Sequence, residues 1–239
     1  MIPKVIHYCW FGRKPLSNLA KKCIESWKKF CPDYEIVEWN ESNFDFSECE
    51  YARQAYDAKK WAFVSDYARF KILYENGGVY FDTDVELIKP IDDILLNGEF
   101  MGVEDKKELT VNPGLGLAMA KNSQFCKDII DRYMQKQFVC GDNSYNTETI
   151  VTYTTELLKE YGMYIKNEIQ TVCGITIYPQ EYFNPCDIHS RKIVITEQTR
   201  SIHHYAGSWL SKKDKFKRFI RRLVGNKIYL FLYEMKHKK

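Results

Sequence analysis

The 239-residue chain has no run of about 20 apolar residues, so it encodes no membrane-spanning helix. Its eight cysteines, at positions 9, 23, 31, 49, 126, 140, 173 and 186, form no C-x-x-C pair and keep no regular spacing. That argues against a zinc site or a disulfide framework. It leaves them as buried small apolar residues, reduced in a cytosolic setting. The opening Met1-Ile2-Pro3-Lys4-Val5-Ile6-His7 lacks the charged and apolar zones of a signal peptide and reads as a first strand. There is no internal repeat, no low-complexity segment and no nucleic-acid-binding motif. Excess charge is also scarce: 35 basic residues against 32 acidic ones leave a net of +3.

What is present is apolar and aromatic mass, 45% and 15% of residues, enough for one sizeable core. The small net charge hides an asymmetry. Residues 212–239 carry eleven Lys and Arg against Asp214 and Glu234, a net of +9, which leaves residues 1–211 at −6. The expected division is therefore a body over 1–211 and a basic tail over 212–239. In the tail, Phe216, Phe219, Ile220, Leu223 and Val224 share a helical face, with basic residues around it. A basic amphipathic helix next to the aromatic-rich run Ile228–Tyr233 is expected to lie on an anionic membrane surface. Packing on the body or on a second copy is the alternative.

Along the body, apolar strands and helical stretches alternate. Strands are expected at 4–10, 34–39, 79–85, 100–103, 115–119, 171–172, 175–178 and 193–195. Helices are expected at 17–30, from about 51 to 75 with a break near Lys59-Lys60, at 123–136 and at 147–161. This order predicts an α/β fold with a mostly parallel sheet and helices on both faces. In such sheets ligands bind beyond the carboxyl ends of the strands.

Val79-Tyr80-Phe81-Asp82-Thr83-Asp84-Val85 is the most informative stretch. An apolar run leaves the Asn76-Gly77-Gly78 turn and ends in two carboxylates. Strand alternation would put Asp82 and Asp84 on one side. Buried carboxylates need a counter-charge. Mn²⁺ or Mg²⁺ carrying a diphosphate supplies one, because such ions take oxygen ligands and complete their shells with phosphate and water.

Three motifs resemble glycosyltransferase family 32: Ile2–His7 with Trp10-Phe11-Gly12, Ala62–Arg69 with Leu73–Asp84, and His203-His204-Tyr205-Ala206-Gly207-Ser208-Trp209. The central one also resembles the catalytic domain of large clostridial glucosylating toxins. The resemblance implies a GT-A fold, a nucleotide-sugar donor (taken here as a UDP-sugar), dependence on Mn²⁺ or Mg²⁺, and retention of anomeric configuration. On this reading Trp10 stacks on the base, with core packing as its alternative. Asp66 and Arg69, one helical turn apart, serve ribose, sugar or phosphate; a surface ion pair is the alternative. Ser65 and Tyr80 flank the donor, with a small helix-start residue and a core tyrosine as their alternatives. His204 joins Asp82 and Asp84 at the metal; a helix-capping or surface His pair is the alternative. Ser208 binds metal or phosphate, Trp209 closes over the diphosphate, and Lys212 helps to neutralise the leaving nucleotide. Asp82, Asp84 and Arg69 carry catalysis, with the leaving phosphate as base in a front-face attack and no nucleophile assigned. Between about 105 and 190, the expected acceptor region, Asn112, Asp142 and Glu148 could orient an acceptor or be ordinary loop and cap residues.

The expected function is hexose transfer to a lipid-linked glycan at the cytoplasmic membrane face, as in bacterial surface-polysaccharide assembly. The enzyme would be peripheral to that membrane and would bind no nucleic acid. A protein-glycosylating transferase and a metal-dependent phosphohydrolase using the same acids are the alternatives.

Overall fold

The computed structural model describes residues 2–142, 144–186 and 192–207. The chain runs β1 (Val5–Cys9), α1 (Asn18–Phe30), β2 (Glu35–Trp39), α2 (Glu50–Asp57), α3 (Trp61–Asn76), β3 (Gly78–Tyr80), β4 (Val85–Leu87), α4 (Asp92–Leu95), β5 (Phe100–Asp105), β6 (Thr110–Val111), β7 (Leu117–Met119), α5 (Gln124–Met134), α6 (Ile150–Glu160), β8 (Gln170–Val172), β9 (Ile175–Tyr178), α7 (Gln180–Phe183) and β10 (Ser201–His203). Eight strands form the main sheet in the order β2-β1-β3-β7-β5-β9-β8, with β6 on β5. β1 is parallel to β2 and β3, and β9 to β5. β7 is antiparallel to both β3 and β5, so β2, β1, β3, β5 and β9 all point the same way. The expected α/β class with a mostly parallel sheet is borne out.

One apolar cluster joins the sheet to α2, α3, α5 and α6, and a second joins its other face to α1, α4 and α7. Local chemistry explains the boundaries. Ser17 caps α1 by accepting from the Ala20 N–H (3.1 Å), and Ala20, Cys23, Ile24 and Trp27 bury one stripe. The expected long helix is two: Lys59, at φ +57°, separates α2 from α3. α3 is buried on most sides, so Asp66 and Arg69 lie inside the fold and the surface-pair alternative is overturned. Gly77 ends α3 at φ +67° and Gly78 follows at φ +105°; a Cβ on Gly78 would lie 2.8 Å from the Val5 carbonyl. These two glycines let a buried helix turn directly into the central strand β3.

Two expectations need correction. The stretch 193–195 is not a strand: only Ile193 makes an isolated bridge, to Cys186, and all three side chains are exposed. Asp82 and Asp84 do not extend a strand either. β3 ends at Tyr80, and the Val85 N–H donates to the Asp82 carbonyl (3.0 Å), so the acids sit in the turn joining β3 to β4. All eight cysteines are free thiols, with Cys173 exposed and Cys140 half-buried. Among the described residues no helix is long and apolar enough to cross a membrane. The tail 212–239, and with it the expected amphipathic helix, lies outside the described residues.

Candidate active site at the carboxyl end of β3

β3 carries the chain to the edge of the core, and the turn after it is held from three sides. From below, Arg69 reaches out of α3. Its Nη2 donates to Asp66 Oδ1 (2.9 Å) and lies 3.3 Å from Asp82 Oδ1. Its guanidinium lies 4.9 Å from the centre of the Tyr80 ring, and the Tyr80 hydroxyl donates to Asp82 Oδ1 (3.1 Å). One cation thus bridges the buried Asp66 and the part-exposed Asp82, which keeps the buried carboxylate from being stranded. Burial pushes Asp66 up to about 6, against the pull of Arg69, with the nearby charge of Asp82 adding to the rise.

From one side comes the loop after β6. The Asp82 N–H donates to the Gly114 carbonyl (3.0 Å). The Gly114 N–H in turn donates to Asn112 Oδ1 (2.7 Å), and Asn112 Nδ2 donates to Glu104 Oε1 (2.8 Å). A Cβ on Gly114 would lie 2.0 Å from Asp82 Oδ2, so only glycine fits against this carboxylate.

From the other side comes β10. It pairs antiparallel with β4, registering His203 with Val85, and the His204 N–H donates to the Asp84 carbonyl (2.9 Å). His203 is buried, with Nε2 3.1 Å from Asp84 Oδ1. Burial opposes its charged form, but Asp84, Asp82 and Glu104 outweigh that, and its pKa lies above the ordinary histidine value.

The histidine at the acids is therefore His203, not the expected His204. Neighbouring residues of an extended chain point to opposite sides, and His204, just past the end of β10, is aimed away from the cluster. Its Nε2 lies 2.7 Å from Glu86 Oε2, which also accepts from Lys22 (2.8 Å). Burial works to raise the Glu86 pKa, yet these two partners hold it below the usual range.

Ligand atoms of Asp82, Asp84 and His203 all lie within 4.8 Å of one another. Two carboxylates and an imidazole fit a hard or borderline divalent cation such as Mn²⁺ or Mg²⁺.

Trp10 follows β1 and sits apart from this cluster. It is half-buried, its Nε1–H donates to the Lys14 carbonyl (2.5 Å), and it lines an open pocket of about 460 Å³ with Arg13, Lys14, Glu38, Asn40 and Glu41. Ser65 Oγ donates back to the Trp61 carbonyl (3.0 Å), a bond within its own helix. Asp142 and Glu148 are exposed and engaged locally, with Ser144 and Lys136 respectively, whereas Asn112 stands beside the acids. Ser208, Trp209 and Lys212 lie outside the described residues.

Residues 17–101 match the family model described as a glycosyltransferase sugar-binding region containing a DXD motif. An uncharacterized glycosyltransferase of Acanthamoeba polyphaga mimivirus is 26% identical over 202 residues, 80% of this chain and 76% of that one. An inositol phosphoceramide mannosyltransferase of Schizosaccharomyces pombe is 34% identical over 101 residues, 39% of this chain and 27% of its own length. Among solved structures, the PaToxG glycosyltransferase superposes with a TM-score of 0.51 at 20% identity, over 66% of this chain and 69% of that one, a likeness of fold. These matches bear out the resemblance and the GT-A fold class drawn from the three motifs.

Proposed function

We propose that this chain, a glycosyltransferase of the DXD type, moves a hexose from a nucleoside diphosphate sugar to a hydroxyl of a glycan or lipid headgroup, with retention and with a divalent cation at Asp82, Asp84 and His203. The observation that carries the reading is the convergence of those three side chains where β3 ends. When bound there, such a cation supplies positive charge to the departing diphosphate.

The chain's own residues do the rest. Arg69 and the Tyr80 hydroxyl fix one oxygen of Asp82, and the Gly114 backbone fixes its amide. Asp82 is thus held in one orientation before any substrate arrives. His203, backed by the β4–β10 ladder, holds Asp84 from the opposite side. The open pocket at Trp10 offers an aromatic face and the Glu38 and Asn40 side chains to a base.

The acceptor reading has two supports. The fission-yeast relative is, by its name, an enzyme acting on a lipid, inositol phosphoceramide. Residues 212–239 carry a net charge of +9, suited to an anionic surface. Relatives from a virus and a yeast mean that bacterial surface-polysaccharide assembly is one setting among several.

The test is a panel of UDP- and GDP-hexoses with Mn²⁺ or Mg²⁺, following donor binding, hydrolysis and transfer. The reading expects metal-dependent release of a nucleoside diphosphate and a free or transferred hexose. Release of inorganic phosphate without sugar transfer would favour the phosphohydrolase alternative instead.

A further inference from the structure

The site holds a third carboxylate that the metal cluster does not use. Glu104 lies at the carboxyl end of β5, half-buried. The β5–β6 ladder pairs Val103 with Val111 and Asp105 with Thr110, so two steps on β5 face one on β6. Glu104 is the extra residue of a β-bulge. Bulges re-aim a side chain and recur beside active sites. Phe100 and Met101 pack into opposite clusters, and Gly102 abuts Phe183. Gly102 thus faces α7, which packs against both β5 and β10, and the Glu104 side chain at the bulge turns to Asn112, which braces Gly114 beside Asp82.

Its position is held from both ends. Its carbonyl accepts from Asn184 Nδ2 (2.8 Å), and its Oε1 accepts from Asn112 Nδ2 (2.8 Å). Oε2 makes no hydrogen bond among the described residues.

Strand order gives the direction. The Trp10 pocket lies at the ends of β1 and β2, the acids follow β3, and β7 then β5 come next across the sheet. Base, diphosphate and sugar follow one another along a donor in that same sequence. With strands about 4.8 Å apart, the end of β5 lies roughly 10 Å beyond the end of β3, on the side away from the Trp10 pocket.

We propose that Glu104, oriented by Asn112, accepts a hydrogen bond from a hydroxyl of the transferred hexose through Oε2 and so reads the identity of the donor sugar. This rests on the donor reading given above. It makes Glu104 a substrate-contacting, specificity-determining residue separate from the metal set.

The test compares wild-type and Glu104→Gln full-length enzyme. Gln keeps an oxygen for Asn112 but replaces the second acceptor with a donor. Affinity for free UDP and GDP with Mn²⁺ is measured by calorimetry, and hydrolysis of UDP-glucose, UDP-galactose and GDP-mannose by product release. The expected result is nucleoside diphosphate affinity within twofold of wild type, and kcat/KM for the preferred nucleotide sugar at least tenfold lower. The preference among the three sugars should narrow as well. Retained nucleoside diphosphate binding also reports that the variant is folded. Unchanged hydrolysis and preference would overturn the assignment. So would an equal loss in free nucleoside diphosphate binding, which would put Glu104 in the metal shell or the scaffold. A wild-type enzyme that binds none of these nucleotides would remove the donor reading itself, and Glu104's role with it.

Discussion

His203 Nε2 lies 3.1 Å from Asp84 Oδ1, while the adjacent His204 turns to Glu86 at 2.7 Å. The last residue of β10 and the one that follows it thus go to two different acids. Only the first faces the cluster with Asp82.

The two histidines should therefore separate on substitution. His203→Ala should lower metal-dependent turnover at least tenfold and raise the Mn²⁺ concentration needed for half-maximal activity. His204→Ala should change either quantity less than threefold. Metal titrations of the two variants check this, and the reverse ranking would restore His204 as the ligand.

Arg69 should be needed for folding as well as for the site. It is 3% exposed and bridges Asp66 and Asp82. Arg69→Met would leave two carboxylates without their cation, a loss of about 3–5 kcal/mol for a broken buried pair. Urea unfolding measures it. A loss below about 1 kcal/mol, the range of an exposed pair, would mean that the network is solvated.

Gly114→Ala should act on Asp82 from the other side. The new methyl would meet Asp82 Oδ2 at 2.0 Å, closer than atoms can approach, so the carboxylate must move. Turnover should fall at least tenfold while the fold, followed by circular dichroism, persists. Wild-type turnover would show that the Asp82 orientation does not matter.

How much of this was legible follows the range of the interactions. Local signals read well: Ser17 as a cap, the helix break at Lys59, Gly77-Gly78 before the central strand, and Asp66 with Arg69 one turn apart. What escaped depends on long-range pairing. β4 and β10 are three residues each and lie more than a hundred residues apart in the chain, too short and too distant for periodicity to register them. Without that register, nothing chooses between His203 and His204. Glu104 escaped for a related reason. Its bulge exists only relative to β6, and its neighbour Asn112, a candidate in the sequence for orienting an acceptor, carries no sign there of the carboxylate it binds. The turn signals of Pro113-Gly114 could have pointed to a tight loop, but not to the carboxylate it touches.

His7 gives the fold an acid-sensitive joint. Its Nδ1 accepts from Trp39 Nε1–H (3.0 Å), and its Nε2 lies 2.9 Å from the Gly77 carbonyl. That pairing suits the neutral ring with the proton on Nε2. Burial lowers its pKa from 6.5 to about 4, partly offset by the Gly77 carbonyl. The unfolded chain therefore takes up this proton at higher pH than the folded one. Stability is complete above pH 6.5 and falls as the pH drops from there to about 4, by about 3 kcal/mol for this one group. Urea midpoints of wild type and His7→Gln across that range isolate the contribution. Parallel profiles would contradict it.

Trp10 should matter for binding more than for folding, because it is half-buried at the rim of an open pocket. Trp10→Ala should weaken UDP or GDP binding by about 1–3 kcal/mol, the range for a base stacked on an aromatic ring. Calorimetry with the free nucleoside diphosphates checks this. Unchanged affinity with a large drop in unfolding free energy would make Trp10 a packing residue.

The proposed function stands on Asp82, Asp84 and His203 holding a divalent cation together with a nucleoside diphosphate. The most direct measurement is Mn²⁺ binding, followed by electron paramagnetic resonance with and without UDP or GDP, on wild type and Asp84→Asn. Mn²⁺ should bind the wild-type protein in the presence of nucleotide, and Asp84→Asn should lose at least tenfold of that affinity with the fold intact. Equal Mn²⁺ binding by both proteins, or full turnover of Asp84→Asn in excess chelator, would contradict it.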